Sequence, residues 1–116
     1  MPAPFVRETL IIRQGTTFER RWRITDPVTG MAKDLSEWSA RAQVRATVSD
    51  SLTLHVWTGD AITCDAEGYV TLAVAPETST DWSWRDGVYD VELVDPLGRV
   101  ARIAEGSVRV SPEVTR

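Results

Sequence analysis

Apolar and polar side chains alternate along much of this chain. The stretch "DLSEWSARAQVRAT", residues 34–47, alternates strictly from its tryptophan onward. Successive side chains of a β-strand point to opposite faces, so this period of two predicts a strand over residues 38–48. Its Trp, Ala and Val side chains are expected to face the core, and Arg41 and Arg45 to face solvent or a partner.

A helix is the main alternative for this stretch. Asp34, with Glu37 three residues later, resembles a capping box, and alanine favours helices. On a helix, however, Trp38 and Ala42 would share a face with Arg45, whereas a strand puts each of them on its proper side. The strand is therefore the better interpretation.

Similar alternation predicts further strands, separated by turn signals. These strands cover residues 9–15, 17–25, 52–58, 61–65, 69–75, 87–95 and 98–110. In residues 52–58, Leu52, Leu54 and Val56 are expected to face inward, and the last strand is expected to break near Gly106. The turns "DPVTG" and "DPLG" combine an Asp that bonds the turn backbone, a Pro that presets φ and a Gly that accepts positive φ.

One segment, "APETSTDWSW", departs from the alternation. Pro76, and Thr78 with Asp81 three residues later, predict a single helical turn near residues 77–82 that crosses from one sheet to the other. Trp82 is expected to close the end of the core there. Turn signals every 8–12 residues are typical of an all-β sandwich.

The expected fold is therefore a single domain over residues 1–116. It is an all-β, antiparallel sandwich of about 7–9 strands. Extended arms are expected at residues 1–8 and 111–116, which are rich in proline.

Composition narrows the possible partners. The formal net charge is −4, which argues against a nucleic-acid binder, and the apolar runs are too short to cross a membrane. The "RRWR" stretch does not change this expectation, because Arg21 and Trp22 point to opposite faces of a strand.

The single cysteine excludes an internal disulfide, and the N-terminus lacks a signal-peptide core, so synthesis in the cytoplasm is expected.

The residues do not form a recognisable catalytic or metal-binding set. One His and one Cys cannot make a zinc site, and there is no phosphate-binding loop, so no cofactor is expected. A nucleophilic mechanism would have to pair His55 with Ser or Cys64, but His55 is expected on the solvated face of its strand. Cys64 is expected to be a buried or half-buried thiol. Asp86 and Asp90 are expected to cap a turn rather than act as a catalytic pair.

The tryptophans are the most informative residues, with five in the chain. Periodicity places Trp22, Trp38 and Trp82 in the core. It does not place Trp57 and Trp84 there, so these two are candidates for protein contacts or for a sugar-binding platform. The alternative is that both rings merely cover the ends of the sandwich.

The order of motifs resembles that of small virion proteins of tailed phages and prophages. The resemblance rests on four quoted stretches, "RQGTTF", "DLSEWSARAQVR", "GYVTLAVAPETSTDW" and "GVYDVELVDPLGRVARIAEGSVRVSPEVTR". This resemblance covers nearly the whole chain. The chain is also similar in outline to the N-terminal domain of phage upper baseplate proteins. The chain departs from that pattern at Glu37, where those proteins have Gly.

The resemblance implies an immunoglobulin-like sandwich that serves as a non-enzymatic building block of a virion, in the tail, baseplate, neck or capsid. Its implied partners are other virion proteins and copies of itself, after synthesis in the bacterial host cytoplasm. Edge strands with free backbone groups could add a neighbour's strand. The candidate contact residues are Trp57, Trp84, Arg85, Arg41 and Arg45.

Two other functions remain open from the sequence. One is a carbohydrate-binding module for host surface glycan, with Trp57, Trp84 and the nearby Asp86 as the sugar platform. The other is a small hydrolase, which is disfavoured because the only histidine lacks a partner. No nucleic-acid or membrane partner is expected.

Overall fold

The alternating segments form two packed β-sheets in a computed structural model, which describes residues 5–115. The strands are β1 (Val6–Arg7), β2 (Leu10–Arg13), β3 (Phe18–Arg23), β4 (Ser39–Arg45), β5 (Thr53–Trp57), β6 (Ile62–Cys64), β7 (Tyr69–Val74), β8 (Asp86–Val94) and β9 (Val100–Ser111). A short helix, α1 (Pro76–Thr80), joins β7 to β8, and a 3₁₀ turn (Gly59–Ala61) joins β5 to β6.

The strand order is that of an immunoglobulin-like sandwich. The larger sheet runs β9-β8-β4-β5, with β1 and β2 both paired to β9, and the smaller sheet runs β3-β7-β6. These orders correspond to the G-F-C-C′ and B-E-D strands of immunoglobulin domains. The predicted all-β sandwich is confirmed.

Pairing is antiparallel except at the N-terminal edge, where β1 and β2 run parallel to β9. Residues 6, 7 and 111, assigned by the sequence to the arms, therefore belong to the sheet. The rest of the predicted arms falls partly outside the described residues, at positions 1–4 and 116.

The core lies between the two sheets and follows the predicted alternation in most strands. Arg41 and Gln43 point outward from β4, as expected for its polar side. The inward side chains of β4, β7 and β8 are buried; they are Ala42, Val44, Val70, Leu72, Val74, Tyr89, Val91 and Leu93. Trp22 is buried, and Trp38 and Trp82 pack against the core as expected.

The alternation is reversed in β5 by a β-bulge. The register between β4 and β5 shifts at Leu54, which is an extra residue opposite β4. Leu54 faces the core as expected, but after it His55 and Trp57 also turn inward, and Val56 lies exposed on the outer face. The prediction was therefore wrong for Val56, because one inserted residue reverses a period of two. It was also wrong for Leu52, which lies before β5 and is exposed.

Two predicted strand limits were also wrong. Strand β4 ends at Arg45 rather than at residue 48, and Ala46 is exposed. Strand β9 does not break at Gly106. Instead, its register with β8 shifts near Ile103, so that Ile103 and Ala104 are both buried.

Gly106 allows β1 to approach β8 and β9 closely. A Cβ atom at this position would lie 2.0 Å from the carbonyl oxygen of Glu8. The Tyr89 hydroxyl donates a hydrogen bond of 3.0 Å to the same oxygen. The missing side chain of Gly106 therefore creates the space in which the N-terminal strands turn from β1 to β2.

The helical turn is present over Pro76–Thr80, close to its predicted place. The expected capping box between Thr78 and Asp81 is absent: Ala75 is the N-cap, without a side-chain hydrogen bond, and Pro76 begins the helix. A proline at the first helical position is favourable because its missing N–H would have no helical partner.

The side chain of Gln14 ties α1 to both ends of the described chain. Its Nε2 donates to the carbonyl oxygens of Ser79, Thr80 and Trp82, at 3.1, 3.2 and 2.9 Å. Its Oε1 accepts a 3.2 Å bond from the backbone N–H of Glu113. One amide group thus joins the end of β2, the helix and the segment after β9.

The two DP turns use the predicted aspartate bonds. The Asp26 carboxylate accepts from the N–H of Val28, and the Asp95 carboxylate accepts from the N–H of Leu97. The hydrogen bond that the Asp26 carboxylate accepts from the Val28 N–H, with a second one from the Thr29 N–H, holds the pKa of Asp26 below its usual value.

Candidate functional site

The outer face of the larger sheet carries a charged groove. Strand register places Arg41, Glu92 and Arg102 in one row across β4, β8 and β9. The next row is Gln43, Asp90 and Glu105. The groove encloses about 630 Å³. It is called the outer groove below.

Ion pairs link the strands across this groove. Arg41 Nε lies 2.7 Å from Glu92 Oε1, and Arg102 lies 3.6 Å from Asp90 and 3.2 Å from Glu105. These pairs are largely exposed, so each contributes at most about 1 kcal/mol to folding. Their chief effect is to fix a pattern of positive and negative groups on a rigid sheet.

Arg45 is held differently from its neighbours. Its guanidinium donates to the Asp50 carbonyl oxygen at 2.6 Å and to Gln43 Oε1 at 2.9 Å. No carboxylate of the described residues forms a salt bridge with it. Arg45 therefore lines the outer groove without a salt bridge, and its positive charge favours the ionised form of Asp90.

Asp90 lies on the floor of the outer groove. Burial raises the pKa of Asp90, Arg102 acts against this shift, and the negative charges of Glu92 and Glu105 reinforce it. The carboxylates repel one another while the arginines hold them together. Both signs of charge therefore face outward from this sheet.

A row of aromatic rings joins β5 to the segment between α1 and β8. The His55 ring lies 4.8 Å from the Trp57 ring and 5.0 Å from the Trp82 ring, measured between centroids. The Trp82 and Trp84 rings lie 4.7 Å apart. These four residues are called the aromatic cluster below.

Trp57 is part of the core and not a surface contact. Its side chain is 2% exposed, and its Nε1 donates a 3.1 Å hydrogen bond to the carbonyl oxygen of Ala73. The prediction that Trp57 faces outward was wrong because of the β5 bulge. A sugar platform built on Trp57 is therefore excluded.

Trp84 and Arg85 remain closer to the surface. Trp84 is half-buried and packs against Trp82, and Arg85 is exposed, with Nη1 donating to the Trp84 carbonyl oxygen at 3.1 Å. The structure thus separates the five predicted contact residues. Arg41 and Arg45 share the outer groove, whereas Trp57 and Trp84 belong to the aromatic cluster inside the sandwich.

The remaining groove residues include some that the sequence missed. Alternation along residues 87–95 predicts that Asp90 and Glu92 face outward, but Arg102 and Glu105 were not singled out. The bulge near Ile103 hides their outward position, because it breaks the alternation of β9. Asp86 and Asp90, both expected to cap a turn, lie at the start and in the middle of β8 instead.

Cys64 and the possible metal ligands are the remaining groups that could carry chemistry. Cys64 is half-buried, and burial raises the pKa of its thiol, which disfavours a thiolate nucleophile. Within residues 5–115, no group of three or more His, Cys, Asp or Glu side chains is placed to hold a metal ion.

The described helices include none with the length and apolar character to cross a bilayer.

Comparison with known proteins yields no relative from which to transfer a function. No protein-family model matches the chain, and no curated protein sequence matches it.

His55 gives the fold an acid sensitivity. Burial lowers the pKa of His55 below its ordinary value of 6.5, so below that pH the unfolded chain binds more protons than the folded chain. The free energy of unfolding should therefore fall as the pH is lowered from about 7 to about 5. Urea unfolding of wild type and His55→Phe across this range measures the effect, and equal pH slopes for the two proteins would contradict it.

Proposed function

We propose that this protein is a non-enzymatic structural component of a tailed-phage or prophage particle, acting through repeated protein–protein contacts. The observation that carries the proposal is the outer groove, where three arginines and three carboxylates are fixed on a rigid sheet. Such a patterned surface favours recognition of a mixed-charge protein partner, because electrostatic complementarity sets specificity and orientation. Its location in the virion is part of the same proposal.

The motif order described above supports the viral part of the proposal. The immunoglobulin-like sandwich agrees with the building block that this resemblance implies. Partners would be other virion proteins and further copies of this chain. The glycan-binding alternative loses one of its two tryptophans, since Trp57 is buried.

Particle composition tests the proposal directly. We expect mass spectrometry of purified particles to detect the protein in a fixed ratio to the other structural proteins. Detection only in the lysate of infected cells would contradict a structural role.

Charge reversal tests the part played by the outer groove. The variant Arg41→Glu/Arg45→Glu should fold like wild type but enter particles at least tenfold less efficiently, because two positive groups of the contact pattern become negative. The matched control is Arg109→Glu, an exposed arginine on β9 that does not line the groove. Equal incorporation of both variants would show that the groove is not the contact surface.

A further inference from the structure

Strand β5 leaves one edge of the larger sheet open. Among the described residues, β5 pairs with β4 on one side and with no strand on the other. The opposite edge of the sheet is occupied by β1 and β2. An open edge presents backbone N–H and C=O groups in the pattern that another strand can pair with.

The composition of β5 does not protect this edge. Its five residues, Thr53–Trp57, include no charged side chain and no proline. By contrast, the smaller sheet has two edge strands: β3 carries four charged residues within Phe18–Arg23, and β6 is only three residues long (Ile62–Cys64). Charged side chains and very short edge strands both disfavour edge pairing, so β3 and β6 are protected in ways that β5 is not.

Exposed aliphatic side chains surround the same edge. Val48, Leu52 and Val56 are 88%, 75% and 39% exposed, and all three lie on the β4–β5 hairpin. Val48 also lines the outer groove. A cluster of exposed apolar groups beside an unpaired strand indicates a protein contact surface.

We propose that β5 pairs antiparallel with β5 of a second copy of this chain, joining two larger sheets into one. The proposal deepens the proposed function and rests on it for its purpose, since it names one of the repeated contacts. A second copy fits because a two-fold contact sets the uncharged strand against itself. No like charges then meet within the paired residues.

The register follows from the bulge and from the flanking aspartates. The bulge at Leu54 distorts the first half of β5, so regular pairing is centred on Val56, opposite Val56 of the second copy. Centring on His55 instead would set Asp50 of each chain opposite Asp60 of the other. Like charges opposite one another are unfavourable, which favours the register centred on Val56.

Sedimentation of the full chain over a range of concentrations tests the association. We expect the wild-type mass to double as the concentration rises, and Val56→Lys to weaken the association at least tenfold. Val56 points outward, so this variant should keep the fold. Leu97→Lys is the matched control, because Leu97 is 79% exposed on the β8–β9 turn, away from β5. A wild-type chain that stays monomeric at millimolar concentration would overturn the inference.

Cysteine cross-linking tests the register, in a Cys64→Ser background. Val56→Cys should form an intermolecular disulfide, because residues opposite one another in an antiparallel pair have Cα atoms about 5 Å apart. Thr53→Cys should not, because the two copies of Thr53 would lie about 20 Å apart along the strand. Cross-linking of Thr53→Cys, or of neither variant, would refute this register.

The two proposals fail separately. A monomeric chain that is nevertheless found in particles would refute the β5 contact and leave the structural role intact. A chain that associates through β5 but is absent from particles would refute the structural role alone.

Discussion

Replacement of Trp57 by alanine is expected to destabilise the fold by about 3–5 kcal/mol. The indole is buried at one end of the aromatic cluster, beside His55, and its N–H donates a hydrogen bond to the Ala73 carbonyl oxygen in the opposite sheet. Alanine would leave a cavity and an unpaired carbonyl group between the sheets. Since domains of this size are stable by about 5–15 kcal/mol, the loss is a large part of the total. Urea unfolding followed by circular dichroism measures it.

Two further variants test the contributions of the Trp57 hydrogen bond and of side-chain burial. Trp57→Phe keeps an aromatic ring but loses the N–H, and should cost about 1–2 kcal/mol. Trp84→Ala should also cost less than Trp57→Ala, because Trp84 is only half-buried. If Trp57→Ala were as stable as wild type, Trp57 would have to lie at the surface, as the sequence pattern suggested.

The second large effect is expected at Gly106. In Gly106→Ala the new methyl group would collide with the Glu8 carbonyl oxygen, 2.0 Å away, and force β1 from its place beside β9. The bond from the Tyr89 hydroxyl to that oxygen would be lost with it. We expect a destabilisation of about 2–4 kcal/mol. Faster hydrogen exchange should follow at the Glu8 amide, which bonds the Glu105 carbonyl oxygen at 3.1 Å.

Gly98→Ala is the matched control for this variant. Gly98 has a positive φ of 83°, but no atom lies within 4 Å of the place its Cβ would occupy. Its substitution should therefore cost only the backbone strain, about 1–2 kcal/mol. Equal losses in the two variants would show that the contact with Glu8 does not matter.

Local pattern predicts the strands whose environment is uniform along their length. Strands β4, β7 and β8 each have one buried face, so alternation alone assigns the inward side chains of Val44, Leu72 and Val91. It fails in β5, where the register shift at Leu54 depends on the partner strand. It cannot reveal that β2 runs parallel to β9, because that pairing joins residues about 100 positions apart.

The candidate site was predictable only in part, for the same reason. Alternation shows that Arg41 points outward, but not that Glu92 lies 2.7 Å from it, because 51 residues separate the two in sequence. The open edge at β5 depends on which strands lie beside it. Neither feature is encoded by a local motif, and both become visible only once the sheet is assembled.

The parallel pairing of β2 with β9 governs how the domain responds to tension. Strand β2 lies near the start of the chain, β9 near its end, and four residue pairs join them. Pulling the two ends apart slides these strands past each other, so the ladder bears the force in shear and its hydrogen bonds are stretched together rather than opened in turn. The sandwich is therefore a mechanically stiff link along the line between its ends.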